Sequence, residues 1–171
     1  MQNRALDAHH GDRLCLRPSS ARTSPSFRDC ESQRGEGEHG GGVGEAEDAA
    51  AAVAFLTSQP EVKKDGTVLA GYSFGSVAAM TAAPKIKGLG ALVLVALPLK
   101  MADPGALNDF AGPIMMAAGD GDTYCLVPQL EALHKELGER AQLRIVAGAD
   151  HFFGGLEVEL ADAIESMLGA I

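Results

Sequence analysis

Gly71-Tyr72-Ser73-Phe74-Gly75 is a G-x-S-x-G pentapeptide with an apolar run before it and a small-residue helical pattern after it. That setting suits a nucleophile elbow, a tight strand-to-helix turn that holds a serine in a strained conformation while its glycines admit close backbone. Ser73 would stand at the positive end of the following helix, which favours a developing oxyanion. A serine hydroxyl is a poor nucleophile at neutral pH and needs a base. His151, in Gly148-Ala149-Asp150-His151-Phe152-Phe153, can be that base. The histidine in turn needs a carboxylate to hold its tautomer and stabilise its cation. Gly119-Asp120-Gly121-Asp122 offers two, with Asp122 preferred and Asp120 the alternative. The nucleophile, acid and base of an acyl-transfer site therefore occur in the order Ser73, Asp122, His151.

Neighbouring residues have plainer readings. Asp150 is expected to cap or brace the histidine loop. Cys125 has no base of its own nearby and reads as a packing residue, and His134 as a solvent-facing residue of a helix. Tyr72, Phe74, Tyr124, Phe152 and Phe153 are five of the eight aromatic residues, and all lie within two positions of the three candidates. As a group they point to an apolar wall for an acyl or aryl substituent, with Tyr72, Tyr124 and Phe152 as the substrate-binding choices. Gly35-Glu36-Gly37-Glu38-His39-Gly40 matches G-x-G-x-x-G, but no apolar strand precedes it and its glutamates would repel phosphate. No Cys/His pair has metal-ligand spacing, so neither metal nor cofactor is expected.

The elements that must carry these residues alternate. Ala46, Ala49, Ala50, Val53 and Leu56 share one face of a helix predicted over Glu45 to Ser58. Thr67 to Gly71 reads as a strand after the turn signal Lys64-Asp65-Gly66, and Ser76 to Ala83 as a helix ending at Pro84. Ala91 to Leu97 and Pro113 to Ala118 are buried-strand patterns. Leu126, Leu130, Leu133 and Leu137 mark a helix stopped by Gly138, Leu143 to Val146 the last strand, and Leu156, Leu160, Ile164 and Met167 the closing helix. Apolar strands alternating with amphipathic helices imply a parallel sheet covered on both faces. All three candidates follow strand ends, where such sheets carry their sites.

The rest of the chain is different. Residues 9–42 hold only six apolar residues and have no period of 2 or 3.6, so they read as an irregular arm behind a short helix from Asn3 to Ala8. Residues 1–34 carry six Arg against four acids, whereas 35–171 carry eight bases against 19 acids. The net charge of −9 opposes binding to nucleic acid or anionic membrane. The longest strongly apolar run, Leu89 to Leu99, is too short to span a bilayer. Met1 leads into polar residues, so no signal peptide is expected. Three cysteines fit a reducing, cytoplasmic compartment better than a disulfide framework.

Ala70 to Ser76, Gly119 to Asp122 and Gly148 to Phe153 together resemble the α/β-hydrolases, specifically the small lidless branch close to dienelactone hydrolases and bacterial carboxylesterases. The resemblance covers about residues 35–171. It implies an α/β fold with a mostly parallel sheet, helices on both faces and the N-terminal strands missing. It assigns Ser73 as nucleophile, Asp122 as acid and His151 as base. Dienelactone hydrolases proper use a cysteine there, so Ser73 points to an esterase. The few residues between Leu97 and Pro113 leave no room for a large lid.

Residues 1–8 resemble the helix that follows the family's oxyanion loop, and residues 9–34 stand where the family has a helix, a strand and an Arg-Gly turn. The expectation is a truncated, partly frame-shifted member, with residues 1–42 as an irregular segment and 43–171 as the hydrolase core. Two function classes follow. The first is a serine hydrolase of small carboxylic esters or thioesters, with the Phe74 amide as one oxyanion donor. The second is a catalytically impaired or non-catalytic remnant that pairs through an exposed sheet edge with another chain, such as a second copy in a homodimer.

Overall fold

A computed structural model of the chain describes residues 42–60, 62 and 66–170. The expected helix from Asn3 to Ala8, the irregular stretch through residue 41, the glycine-rich motif at 35–40 and the turn residues Lys64 and Asp65 lie outside the described residues.

Helix α1 (Val43–Ser58) starts two residues earlier than its periodicity suggested. Gly42, at φ 100°, makes the turn into it, and the Gly42 N–H donates to Glu45 Oε2 at 2.9 Å. Ala46, Ala49 and Val53 are its buried face. Strand β1 (Thr67–Tyr72) runs through Ser73 directly into α2 (Phe74–Ala82). The expected helix began at Ser76. The two extra residues matter because they leave Ser73 alone between strand and helix.

Strand β2 (Leu89–Val95) comes next, then β3 (Ile114–Gly119), α3 (Val127–Leu137), β4 (Ala141–Val146) and α4 (Glu157–Leu168). β2 lies two residues before the expected Ala91 to Leu97. Between β2 and β3 the chain makes only a 3-10 helix at Pro104–Asp109, which packs against α2 and buries Leu107. Gly138, at φ 66°, ends α3.

The four strands pair in parallel in the order β1-β2-β3-β4. β3 is buried at all six positions, and β2 at six of seven. Successive strand residues point to opposite faces, so both faces are covered at the centre of the sheet. α3 and α4 both pack against β3 and β4. β1 differs: Thr67, Leu69 and Gly71 are buried on α2's side, while Val68, Ala70 and Tyr72 are exposed. Leu92, Leu94, Ile114, Met115 and Met116 are fully buried, and side chains of this kind each contribute about 1.5–3 kcal/mol. The expected parallel α/β sheet with helices against it is what the chain forms. Among the described residues no helix is long and apolar enough to cross a membrane.

Candidate active site

The parallel register brings the carboxyl ends of β1, β2, β3 and β4 to one edge, with Tyr72 beside Val95, Val95 beside Ala117 and Gly119 beside Val146. Every candidate residue hangs from this edge.

Ser73 has φ 53° and ψ −124°, a backbone conformation that L-residues rarely adopt. Such a residue costs about 1–3 kcal/mol and persists only where its surroundings enforce it. Here the Ser73 N–H donates to Val95 O at 2.9 Å, and the Ser73 carbonyl accepts from Ser76 N and from the buried Ser76 hydroxyl. Gly71 makes the turn sterically feasible. A Cβ there would lie 2.2 Å from the carbonyl oxygen of Gly75, so strand and helix could not approach this closely.

A second close approach joins the other two loops. A Cβ on Gly119 would lie 2.1 Å from Ala149 O. The bare backbone lets the loop after β4 lie directly on the end of β3, where Gly121 N donates to Ala149 O at 2.9 Å. Asp120 Oδ1 accepts from Gly148 N at 2.7 Å. Asp120 therefore ties the loops together, and Asp122 is the carboxylate beside the histidine.

Asp122 Oδ1 accepts from Tyr124 N and Cys125 N, both at 2.8 Å, and Oδ2 pairs with His151 Nδ1 at 2.8 Å. Its side chain is fully buried. Three charge-assisted hydrogen bonds offset the cost of burying a carboxylate. His151 Nε2 lies 2.8 Å from Ser73 Oγ. An Nδ1–H donated to Asp122 leaves Nε2 as the acceptor for the serine proton. The histidine is also held by its backbone, since the Tyr72 hydroxyl donates to His151 O at 2.6 Å. Asp150 Oδ1 accepts from Phe152 N at 2.9 Å, which is the bracing expected of it.

Three aromatic rings surround the imidazole, Tyr124 at 4.9 Å between centroids, Phe152 at 5.4 Å and Tyr72 at 5.7 Å. Phe153 does not join them. It is a core residue with φ 54°, and that turn sends its ring inward while Phe152 stays outside. Phe74 is half-buried at the first position of α2.

Cys125 is fully buried and packs in the core, as expected. Burial, reinforced by the Asp122 carboxylate, pushes its thiol up to about 12, so it stays protonated and unreactive at neutral pH. His134 is not solvent-facing: it is half-buried and its Nε2 meets Ala141 O at 3.0 Å, at the opposite end of β4 from the site. The turn after α3 brings the start of β4 back beside it, a contact that helical spacing does not reveal.

Sequence reasoning missed the Tyr72 latch and the Gly119–Ala149 contact. A glycine closing an apolar strand was the available signal for the second. Among the described residues no group of three His, Cys, Asp or Glu is placed to hold a metal ion.

The fold has counterparts among known proteins. No curated protein matches the chain. Among solved structures, the chain is 26% identical to a protein of unknown function from Agrobacterium tumefaciens assigned to the α/β hydrolases, with a TM-score of 0.73 over 81% of this chain and 65% of that one. It is 27% identical to an α/β serine hydrolase homologue from Coxiella burnetii, with a TM-score of 0.68 over 82% of this chain and 65% of that one. An α/β serine hydrolase without a lid from Xanthomonas campestris shares the fold at 23% identity and a TM-score of 0.69, over 78% of this chain and 60% of that one. The chain thus spans 60–65% of the length of these three structures. The family model for the dienelactone hydrolase family matches residues 31–163, well over half of the chain and all of its described strands, and the protein belongs to that family.

Proposed function

We propose that the protein hydrolyses carboxylic esters or thioesters of small molecules through an acyl-enzyme on Ser73. The observation that carries this reading is the unbroken hydrogen-bonded line from Ser73 Oγ to His151 Nε2 and from His151 Nδ1 to Asp122 Oδ2, each link 2.8 Å. Family membership and the serine hydrolases among the similar structures support it.

His151 takes the hydroxyl proton as Ser73 Oγ attacks the carbonyl carbon. The negative charge moves to the carbonyl oxygen, beside the first turn of α2, where the Phe74 N–H and the helix dipole favour it. The tetrahedral intermediate collapses as His151 passes the proton to the leaving oxygen. Water then repeats the sequence on the acyl-serine, with His151 as base and then acid, and the carboxylic acid leaves. Asp122 holds the Nδ1–H tautomer throughout. Tyr72, Tyr124 and Phe152 form an apolar rim for the substrate, and the half-buried Ser73 has no large element of the β2–β3 connection over it. Short aryl or alkyl esters should therefore outrun long-chain glycerides. A rate that climbs with acyl length beyond about a dozen carbons would contradict the open site.

The direct test is a fluorophosphonate probe, which labels only a serine activated by its base. The unaltered chain should be labelled at Ser73, and neither Ser73→Ala nor His151→Ala should be. Labelling that survives Ser73→Ala would overturn the assignment.

A further inference from the structure

We propose that the rings around His151 are the subsite for the alcohol part of the ester, so that the protein selects substrates by an apolar, ring-bearing alcohol rather than by the acyl chain. The inference rests on the serine-hydrolase reading above and says which half of the substrate the rim touches.

The geometry follows from the proton's route. In acylation the bond from carbonyl carbon to leaving oxygen breaks, and the proton taken from Ser73 moves from His151 Nε2 to that oxygen. The leaving oxygen must then come within about 2.6–3.2 Å of Nε2. Whatever that oxygen carries lies against the imidazole. What stands against the imidazole is aromatic: Tyr124, Phe152 and Tyr72, with planes tilted by 55°, 88° and 34° to it.

The three rings have different duties. The Tyr72 hydroxyl is committed to the His151 carbonyl, so this residue holds the loop. Tyr124 and Phe152 are 60% and 71% exposed. Their backbones are nevertheless pinned, Tyr124 N on Asp122 Oδ1 and Phe152 N on Asp150 Oδ1. Two large aromatic side chains, open to solvent beside the general acid, thus stand on a backbone held in place before the ligand arrives. An aromatic ring on the alcohol can pair with either, and each such pair strengthens binding about two- to tenfold. After acylation the alcohol departs and water enters the same place, so the subsite is used once per turnover.

The experiment measures kcat/KM on two mirrored ester series, each value divided by the alkaline hydrolysis rate of the same ester. One series is the acetates of benzyl, cyclohexylmethyl and 2-methoxyethyl alcohol. The other is the ethyl esters of phenylacetic, cyclohexylacetic and methoxyacetic acid. The acetates should spread about tenfold with benzyl first, the ethyl esters only about threefold, and Tyr124→Ala with Phe152→Ala should flatten the acetate spread. Fluorophosphonate labelling of Ser73 runs in parallel. If Ser73 labels but the acyl series carries the larger spread, or the double variant keeps the alcohol preference, the subsite is assigned to the wrong half. If Ser73 of the unaltered chain does not label, the serine-hydrolase reading fails and takes this inference with it.

Discussion

The turn that carries Ser73 and the two loops that carry Asp122 and His151 solve the same problem by different means. The turn is set by sterics: a strained serine, a glycine two residues before it that admits the helix, and a single residue between strand and helix. The loops share one close approach, Gly119 on Ala149, but their carboxylates are set by hydrogen bonds, with Asp122 held by two amides and an imidazole, Asp120 by Gly148 and Asp150 by Phe152. A sterically set site fails when an atom is added. A hydrogen-bonded one fails by degrees, according to which acceptor is lost.

Among changes to the loops, Asp122→Asn should be the most damaging to catalysis. The asparagine oxygen can still accept from Tyr124 N and Cys125 N, so the fold should survive. Its NH₂ would face Nδ1 and drive the imidazole to the wrong tautomer, lowering kcat by about 10⁴. Steady-state kinetics beside a denaturation curve separate the two effects. Gly71→Ala should do the reverse and strike the fold first. Its Cβ meets the Gly75 carbonyl at 2.2 Å, and displacing α2 from β1 should cost about 3 kcal/mol in urea unfolding. Unchanged stability in that variant would mean that the elbow is softer than its contacts imply.

Asp120→Ala removes an exposed acceptor from Gly148 N and should cost about 1 kcal/mol, with a far smaller loss of kcat than Asp122→Asn. The opposite ranking of the two aspartates would show that the acid is misassigned. An effect absent at neutral pH concerns Cys125. Its folded thiol is raised to about 12 from 9.0, so the unfolded chain ionises first as pH rises. The unfolded state then binds fewer protons, and stability should fall between about pH 9 and 12 while staying level below that window. Cys125→Ala should lose this part of the alkaline slope, which thermal melts at pH 8 and pH 10.5 would reveal.

The same contrast governs what could be read from the sequence. The elbow was legible because steric constraint leaves a short local signature: glycine, serine, glycine, with a strand before and a helix after. The strands at 89–95 and 114–119 were legible because burial on both faces needs unbroken apolar runs. Asp122 could be preferred to Asp120 but not separated from it, since two aspartates two residues apart differ only in which partner the fold brings near. Phe153 and Phe152 were grouped together for the same reason, and a positive φ separated them. Tyr72's hydroxyl bond crosses 79 positions of chain, and nothing local marks it. Residues 1–41, whose composition set them apart, lie outside the described structure.

Ser73, activated by His151 and Asp122, should become acylated during turnover. Rapid acid quench of the chain with a short aryl ester, followed by peptide mass spectrometry, tests it without reliance on an inhibitor. The acyl group should be found on the peptide containing Ser73, should vanish in Ser73→Ala, and should form far more slowly in Asp122→Asn. An acyl group on another residue, or ester turnover that Ser73→Ala leaves intact, would contradict it.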